Sequence, residues 1–561
     1  MYLSCPYDND TAQSTNIINL SQLHYIKSEC HVEEGACHLC QELPSAEKDV
    51  EAAIMQLKTA LNRHQRLKTD INLAHSPVIS DLPVEILSRI FYSCFSEDMQ
   101  KYGEPIYEDC FVPLKVGAAC RTWRQIAWSS PELWTVISMK RVLSPAFHVC
   151  KQYELMEGWI ERSGTLPLWV YFVEDVQRPD DVKTIPEACR PCWERCLQLL
   201  KKISERWEVA SLNLSLNSFV HIVHRVKIKP PTRRLDLRSP DEMWYHVQDQ
   251  GDLTDSLKLW DGSGYGPKEV TLSHPIRLGH VAIDWHCVTH VEVQEWPLAE
   301  CVNLLRHAPR LESCSLIRVG RFPQAITETI HGGPVVPVNH NSLRYLYIEC
   351  NNSPAIFFDE VTLPSLEELD YSHFRGGYFP DEAIRSAFLR EFIARSCCPL
   401  KKLSLYVPPF TPIDYLDTIL QLLPTLVHFD LHFSTGLSMT HQREVFDHLL
   451  LRLITTASIE DGNGTSKFLP KLEILELDCF GLRDDDVSYW IAIVDVFGDL
   501  GKEGRRPFSC VTVNDDTPHP VKGLPDDVVD RLVDLQKAGA VIEHRVRSKD
   551  GYYYFVPVKW A

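Results

Sequence analysis

The sequence predicts an α/β chain: a small all-α module near the N-terminus, then an irregular α/β solenoid with a curved parallel sheet. Three observations carry this. Between Pro77 and Ile137, apolar residues recur at helical spacing. From Val209 onward, short blocks of the form L-x-x-L-x-L recur, usually just after a proline. Between those blocks lie short helical patterns, so strand, turn, helix, proline and strand repeat as a unit.

In the helical module, Ser80 or Asp81 is a candidate cap, Pro83 suits a first turn, and Glu85 favours the positive end of the helix dipole. Two apolar rows follow a 3.6-residue period, Leu82, Ile86, Ile90 and Leu87, Phe91, extended by Cys94 and Phe95. After an acidic insert, Ser96–Phe111, a second helical pattern runs through Leu114, Val116, Ala119, Cys120, Trp123, Ile126 and Ala127. Ser129, Ser130 and Pro131 stop it, and Leu133, Trp134 and Ile137 form a last apolar cluster. About sixty residues make too small a core to bury all of that surface, so part of it is expected to face a partner.

L-P-x-E-I-L at Leu82–Leu87, C-R-x-W-R at Cys120–Arg124 and S-x-P-x-L-W at Ser129–Trp134 together resemble the F-box, in the form found in mushroom-forming (basidiomycete) fungi. The resemblance implies docking onto a Skp-family adaptor and, through it, a cullin–RING ubiquitin ligase. On that basis Leu82, Pro83, Ile86, Leu87, Ile90, Phe91, Leu114, Val116, Cys120, Trp123 and Trp134 are candidates for adaptor binding or F-box packing, two roles the sequence does not separate. The acidic insert departs from the family's short connection.

The chain has 561 residues, enough for a small domain plus an extended repeat array, and a net charge of −19 that argues against a general nucleic-acid or anionic-membrane binder. The first twenty residues lack Lys and Arg, and no apolar run approaches the ~20 residues needed to span a bilayer, so an intracellular location, cytoplasm or nucleus, is expected. Nineteen scattered cysteines fit small buried hydrophobes in a reducing compartment.

Residues 1–45 read as a disordered acidic tail. Within it Cys37 and Cys40 have C-x-x-C spacing near Cys30, His31 and His38, but no second pair completes a four-ligand site, and no metal or cofactor is expected. Residues 46–75 read as an amphipathic helix. Val50, Ile54, Leu57, Leu61, His64, Lys68 and Ile71 recur at alternating steps of four and three, a heptad stripe with two polar interruptions. This helix is expected to pack back on the 77–137 module or to pair with a second copy.

Residues 138–208 read as a linking helical and strand region. Repeat blocks begin at Val209, Thr232, Val288, Leu311, Leu343, Leu366, Leu400, Leu426 and Leu472. Their shorter spacings fall in the leucine-rich-repeat range, and the longest gap, between Thr232 and Val288, has room for a degenerate repeat or a loop. The region 209–500 is therefore read as a leucine-rich-repeat-like solenoid. Ile283–Val293 and Leu304–Glu312 also resemble the repeat region of the fungal F-box family. Residues 501–561 are read as a capping segment, with a helix at Leu524–Ala538 and a terminal strand at Gly551–Trp560.

His221 with His224, and the acids Asp484–Asp486, belong to no catalytic constellation, and no phosphate loop, H-E-x-x-H or G-x-S-x-G occurs. The basic run Arg225, Lys227, Lys229, Arg233, Arg234, Arg238 reads as a solvated connection. In a solenoid, the polar strand residues line the concave face. Tyr347, Glu349, Asp370, Tyr406, Asp430, His432 and Glu476, with Glu292, Ser404 and Asp478, are candidates to hold a basic or mixed client surface. The reading is a non-catalytic substrate receptor of an SCF-type ubiquitin ligase. The alternatives are a repeat scaffold without a ligase and an enzyme with its site on the repeat loops.

Overall fold

The computed structural model describes residues 37–75, 82–102, 112–142, 149–175, 190–215, 218–219, 222, 231–239, 266–320, 337–351, 353–373, 387–407, 414–433, 439–456, 468–479, 488–498, 506–515, 525–547 and 553–556. The Ser80/Asp81 cap, most of the acidic insert, Cys30 and His31, His221 and His224, Arg225 to Lys229, and Asp484–Asp486 lie outside them. The chain divides into two compact units: Met1–Tyr171 with Asp175–Leu199, and Phe172–Glu174 with Leu200–Ala561.

The first unit opens with a 38-residue helix, α1 (His38–His75), longer at its N-terminal end than the sequence pattern from residue 46 implied. None of its described side chains is buried, so it does not pack back on the helical module. That module comprises α2 (Val84–Tyr102), α3 (Val112–Ala119), α4 (Arg121–Ser129) and a 3-10 turn, Pro131–Trp134. The single helix read from Leu114 to Ala127 is two: Cys120 leaves helical geometry and caps α4, its Sγ accepting from the Trp123 N–H at 3.4 Å. The two helices meet closely at Gly117, where a Cβ would lie 2.3 Å from the Trp128 ring, and Arg124 Nε donates to the Gly117 carbonyl at 2.8 Å. Next come β1 (Val136–Val142), α5 (Val149–Arg162), β2 (Leu168–Asp175), of which Phe172–Glu174 count with the second unit, and α6 (Arg190–Lys202).

The second unit is built on one long, largely parallel sheet. Its strands are β3 (Trp207–Asn213), β4 (Arg234–Arg238), β5 (Glu269–Ser273), β6 (His290–Gln294), β7 (Ser313–Val319), β9 (Tyr345–Cys350), β11 (Glu368–His373), β12 (Lys402–Val407), β13 (His428–Phe433), β14 (Ile474–Cys479), β15 (Cys510–Asp515), β16 (Val541–Arg547) and β17 (Tyr553–Val556). They pair in chain order, all parallel except the antiparallel last pair, β16 with β17. Two short strands, β8 (Val338–Asn339) and β10 (Val361–Thr362), pair separately. Helices α7 (Leu298–His307), α8 (Ala355–Glu360), α9 (Ala387–Ser396), α10 (Tyr415–Leu420), α11 (Met439–Thr455), α12 (Ser488–Phe497) and α13 (Asp526–Lys537) fall between successive large-sheet strands.

The residue period explains the stacking. Leu311, Leu343, Leu366, Leu400, Leu426 and Leu472, each opening a block, are 0 % exposed. The residue just after each joins a backbone ladder: Lys401 N–H donates to the Glu367 carbonyl at 2.7 Å, Val427 to Lys401 at 2.8 Å and Glu473 to Val427 at 2.9 Å. Two apolar residues per strand then point to one side. Register aligns them into rows such as Leu346, Leu369, Leu403, Phe429, Leu475 and Val511, all buried. No unit buries its apolar face without its neighbours.

The strands correct the block pattern in three places. The long gap after Thr232 holds β5, whose block opens on Pro267 rather than leucine. The first block is displaced, because Ser211 aligns with Asp236, so Trp207-Glu-Val-Ala-Ser-Leu212 is the equivalent stretch rather than Val209–Leu214. The parallel sheet also continues past residue 500 through β15 and β16, so much of the expected cap extends the array, and β17 occupies its end.

Candidate functional site

Two surfaces gather the residues singled out in the sequence, one in each unit. In the helical module, α2 turns one apolar row inward and leaves the adjacent one outside. Leu87 and Phe91 are 3 % and 2 % exposed, whereas Ile86 and Ile90 are 43 % and 45 % exposed. The helix begins at Pro83, whose carbonyl accepts from the Ile86 and Leu87 N–H groups at 3.0 and 3.1 Å. Pro83, Val84, Ile86, Ile90 and Tyr92 are all exposed, a concentration of apolar surface over little more than two turns.

The inward row meets aromatic side chains. Phe91 and Trp123 have ring centroids 5.0 Å apart. Trp134, 1 % exposed, donates from Nε1 to the Ala127 carbonyl at 2.7 Å and packs edge-on against Trp128 and Trp159. The Arg162 guanidinium lies 4.9 Å from the Trp134 ring and 5.6 Å from that of Trp128. Leu87, Phe91 and Trp134 are therefore packing residues, not contact residues. Leu82, Leu114, Val116, Cys120 and Trp123 are half-buried, and Pro83, Ile86 and Ile90 face outward.

In the second unit, the polar residues alternating with the buried rows also align. Glu292, Ser315, Tyr347, Asp370, Ser404, Asp430, Glu476 and Thr512 occupy equivalent positions on successive strands. Two residues further along lie Glu349 with Ser372, and Tyr406 with His432. The candidate client residues thus share one face over six strands. Tyr406, Ser404 and Asp478, 8 %, 3 % and 4 % exposed, are too enclosed to anchor a partner.

The acids on this face are not free to steer a basic partner as the sequence implied, because many are paired within the sheet. His432 Nδ1 donates to Asp478 Oδ2 at 2.6 Å and Nε2 to Asp430 Oδ2 at 2.9 Å. Burial alone would lower the imidazole pKa, but the two carboxylates outweigh it and raise it to about 10, so the ring is held as an imidazolium. Glu476 lies 3.1 Å from His428 Nε2 and 3.7 Å from Arg545, and the His428 contact holds its carboxyl below the usual range. Asp236, fully buried, accepts from Arg238 at 3.0 Å.

Nearer β9 the balance differs. Burial raises the Asp370 carboxyl, which Asp430 raises further against the opposing pull of His432. Burial also raises Glu349, against the pull of Arg318. The Tyr347 phenol is raised by burial, and nearby Glu349 and Asp370 add to it. Tyr347, Glu349 and Asp370 are half-buried, as are Glu292, Asp430, His432 and Glu476.

Among the described residues no group of His, Cys, Asp and Glu is arranged to hold a metal ion, and no helix is long and apolar enough to cross a membrane. No sequence signal marks Arg506, a buried guanidinium bound by carbonyls rather than acids. Its nitrogens donate to the carbonyls of Leu469, Leu453 and Phe468 at 2.9, 3.1 and 2.7 Å and to Thr456 Oγ1 at 2.9 Å. No family model matches the chain, and no curated protein matches it.

Proposed function

We propose that the chain is the substrate receptor of an SCF-type cullin–RING ubiquitin ligase, its α2–α4 module an F-box that docks a Skp-family adaptor. The observation that carries this reading is the outward apolar row of Pro83, Ile86 and Ile90, at the start of the stretch bearing the L-P-x-E-I-L motif. Apolar patches of this kind on a folded module mark a protein interface. On this reading the long sheet is a leucine-rich-repeat-like solenoid whose polar face holds the client, with Tyr347, Glu349 and Asp370 the favoured contacts. No side chain acts on the client chemically; the receptor raises the effective concentration of client beside the ubiquitin-charged enzyme.

The test is co-expression with a Skp-family adaptor followed by size-exclusion chromatography. A 1:1 complex is expected, lost in the Ile86→Glu/Ile90→Glu variant while its melting temperature stays at the wild-type value. Folded wild-type chain that forms no such complex sinks the ligase reading.

A further inference from the structure

Helix α1 is the least explained element of the chain. At 38 residues it is about 57 Å long, yet none of its described side chains is buried. Leu43, Val50, Met55, Leu57, Leu61, Leu67 and Ile71 are between 45 % and 62 % exposed. Most helical stability in proteins comes from packing an apolar face, and none of the described side chains of α1 is buried by the rest of the chain. The seam residues have coiled-coil spacing: Leu43, Val50, Leu57, His64 and Ile71 at every seventh position, interleaved with Glu47, Ile54, Leu61 and Lys68.

Charge decides what covers this seam. A parallel, in-register pair would oppose Glu47 to Glu47 and Lys68 to Lys68 in the apolar seam, a cost with no compensation. Turning one helix round, with Ile54 opposite Leu57 of the other, removes both conflicts. Val50 then faces Leu61, Glu47 faces His64, and Leu43 packs against the aliphatic stem of Lys68. Flanking the seam, Glu51 falls opposite Lys58 on both sides, and the small residues Ala53 and Ala60 oppose each other, allowing close approach.

We propose that α1 mates with the α1 of a second copy as an antiparallel two-helix coil, making the chain a homodimer centred on Ile54 and Leu57. The proposal is independent of the ligase reading, and its test uses no adaptor. Sedimentation equilibrium of the full chain should show a dimer. Ile54→Glu with Leu57→Glu should leave only monomer, with an unchanged melting profile for the remainder, since neither side chain is buried in its own chain.

The flanking charges report the orientation. Lys58→Glu alone, or Glu51→Lys alone, should raise the dimer Kd about tenfold, and the double exchange should restore it. In a parallel pair these residues would face alanines, Glu51 against Ala46 and Lys58 against Ala53, and the exchanges would change little. A full chain that stays monomeric, or a dimer indifferent to both single exchanges, overturns the proposal.

Discussion

His432 and Asp478 are 46 residues apart in sequence, yet Nδ1 of one donates to Oδ2 of the other across 2.6 Å. With Asp430 accepting from the second ring nitrogen at 2.9 Å, the imidazolium joins β13 to β14 on the polar side, as Leu431 and Leu477 do on the apolar side. Because its pKa is raised from 6.5 in the unfolded chain to about 10, its stabilisation is complete below pH 6.5 and is lost as pH rises toward 10. With solvent screening of a partly exposed group, that loss is roughly 1–3 kcal/mol. Urea midpoints for wild type and His432→Gln should differ most near pH 6 and converge near pH 10. A gap that widens with pH would show that the ring is not the charged partner.

Arg506 serves a different strand end. It collects the Leu453 carbonyl near the C-terminus of α11, the Phe468 and Leu469 carbonyls ahead of β14 and Thr456 Oγ1, four acceptors around a buried guanidinium. Burial lowers its pKa from 12.5 to about 10. Arg506→Met should cost about 3 kcal/mol, since it leaves these acceptors unpaired. Arg506→Lys should recover only part of that, since one ammonium cannot span all four acceptors. Equilibrium urea unfolding at pH 7 measures both.

What the residues announced, and what they hid, follows from where each signal lies. Strands β9, β11, β12, β13 and β14 were legible because leucine opens each block and the same period recurs. Strand β15 carries the same period with Phe508, Val511 and Val513, and β5 opens on Pro267, so a leucine pattern passes over both. The acidic face was legible as composition, but its neutralisation was not. Glu476 meets His428 and Arg545 only after four strands, β13 to β16, are laid side by side, a relation set by register rather than by local sequence. The helical module hid its division of labour because both rows of α2 are apolar, and only packing against Trp123 and the 3-10 turn decides which row is buried.

Gly117 is required by a close approach rather than by backbone freedom. A methyl group there would meet the Trp128 ring at 2.3 Å, and that ring is held edge-on to Trp134, with centroids 5.1 Å apart, beneath Arg162. Alanine in a helix would ordinarily gain about 1 kcal/mol over glycine. Here overpacking of about 1–3 kcal/mol opposes that gain, so Gly117→Ala should be neutral to destabilising, and Gly117→Val clearly destabilising. Thermal unfolding measures the order: glycine highest, alanine next, valine lowest. An alanine variant more stable than wild type would mean that Trp128 moves aside freely.

The two rows of α2 predict opposite behaviour for neighbouring residues. Leu87, 3 % exposed, contributes to the core, so Leu87→Ala should cost about 2–4 kcal/mol and lower the melting temperature by several degrees. Ile86, 43 % exposed, should tolerate Ser within about 0.5 kcal/mol. Adaptor binding should reverse the ranking. Ile86→Ser weakens the complex although the protein is as stable as wild type, while Leu87→Ala, below its own unfolding temperature, binds nearly normally. Melting curves paired with titration calorimetry separate the two. If Ile86→Ser bound the adaptor as wild type does, the outward row of α2 would not be the docking face, and the contact would have to lie elsewhere on the module.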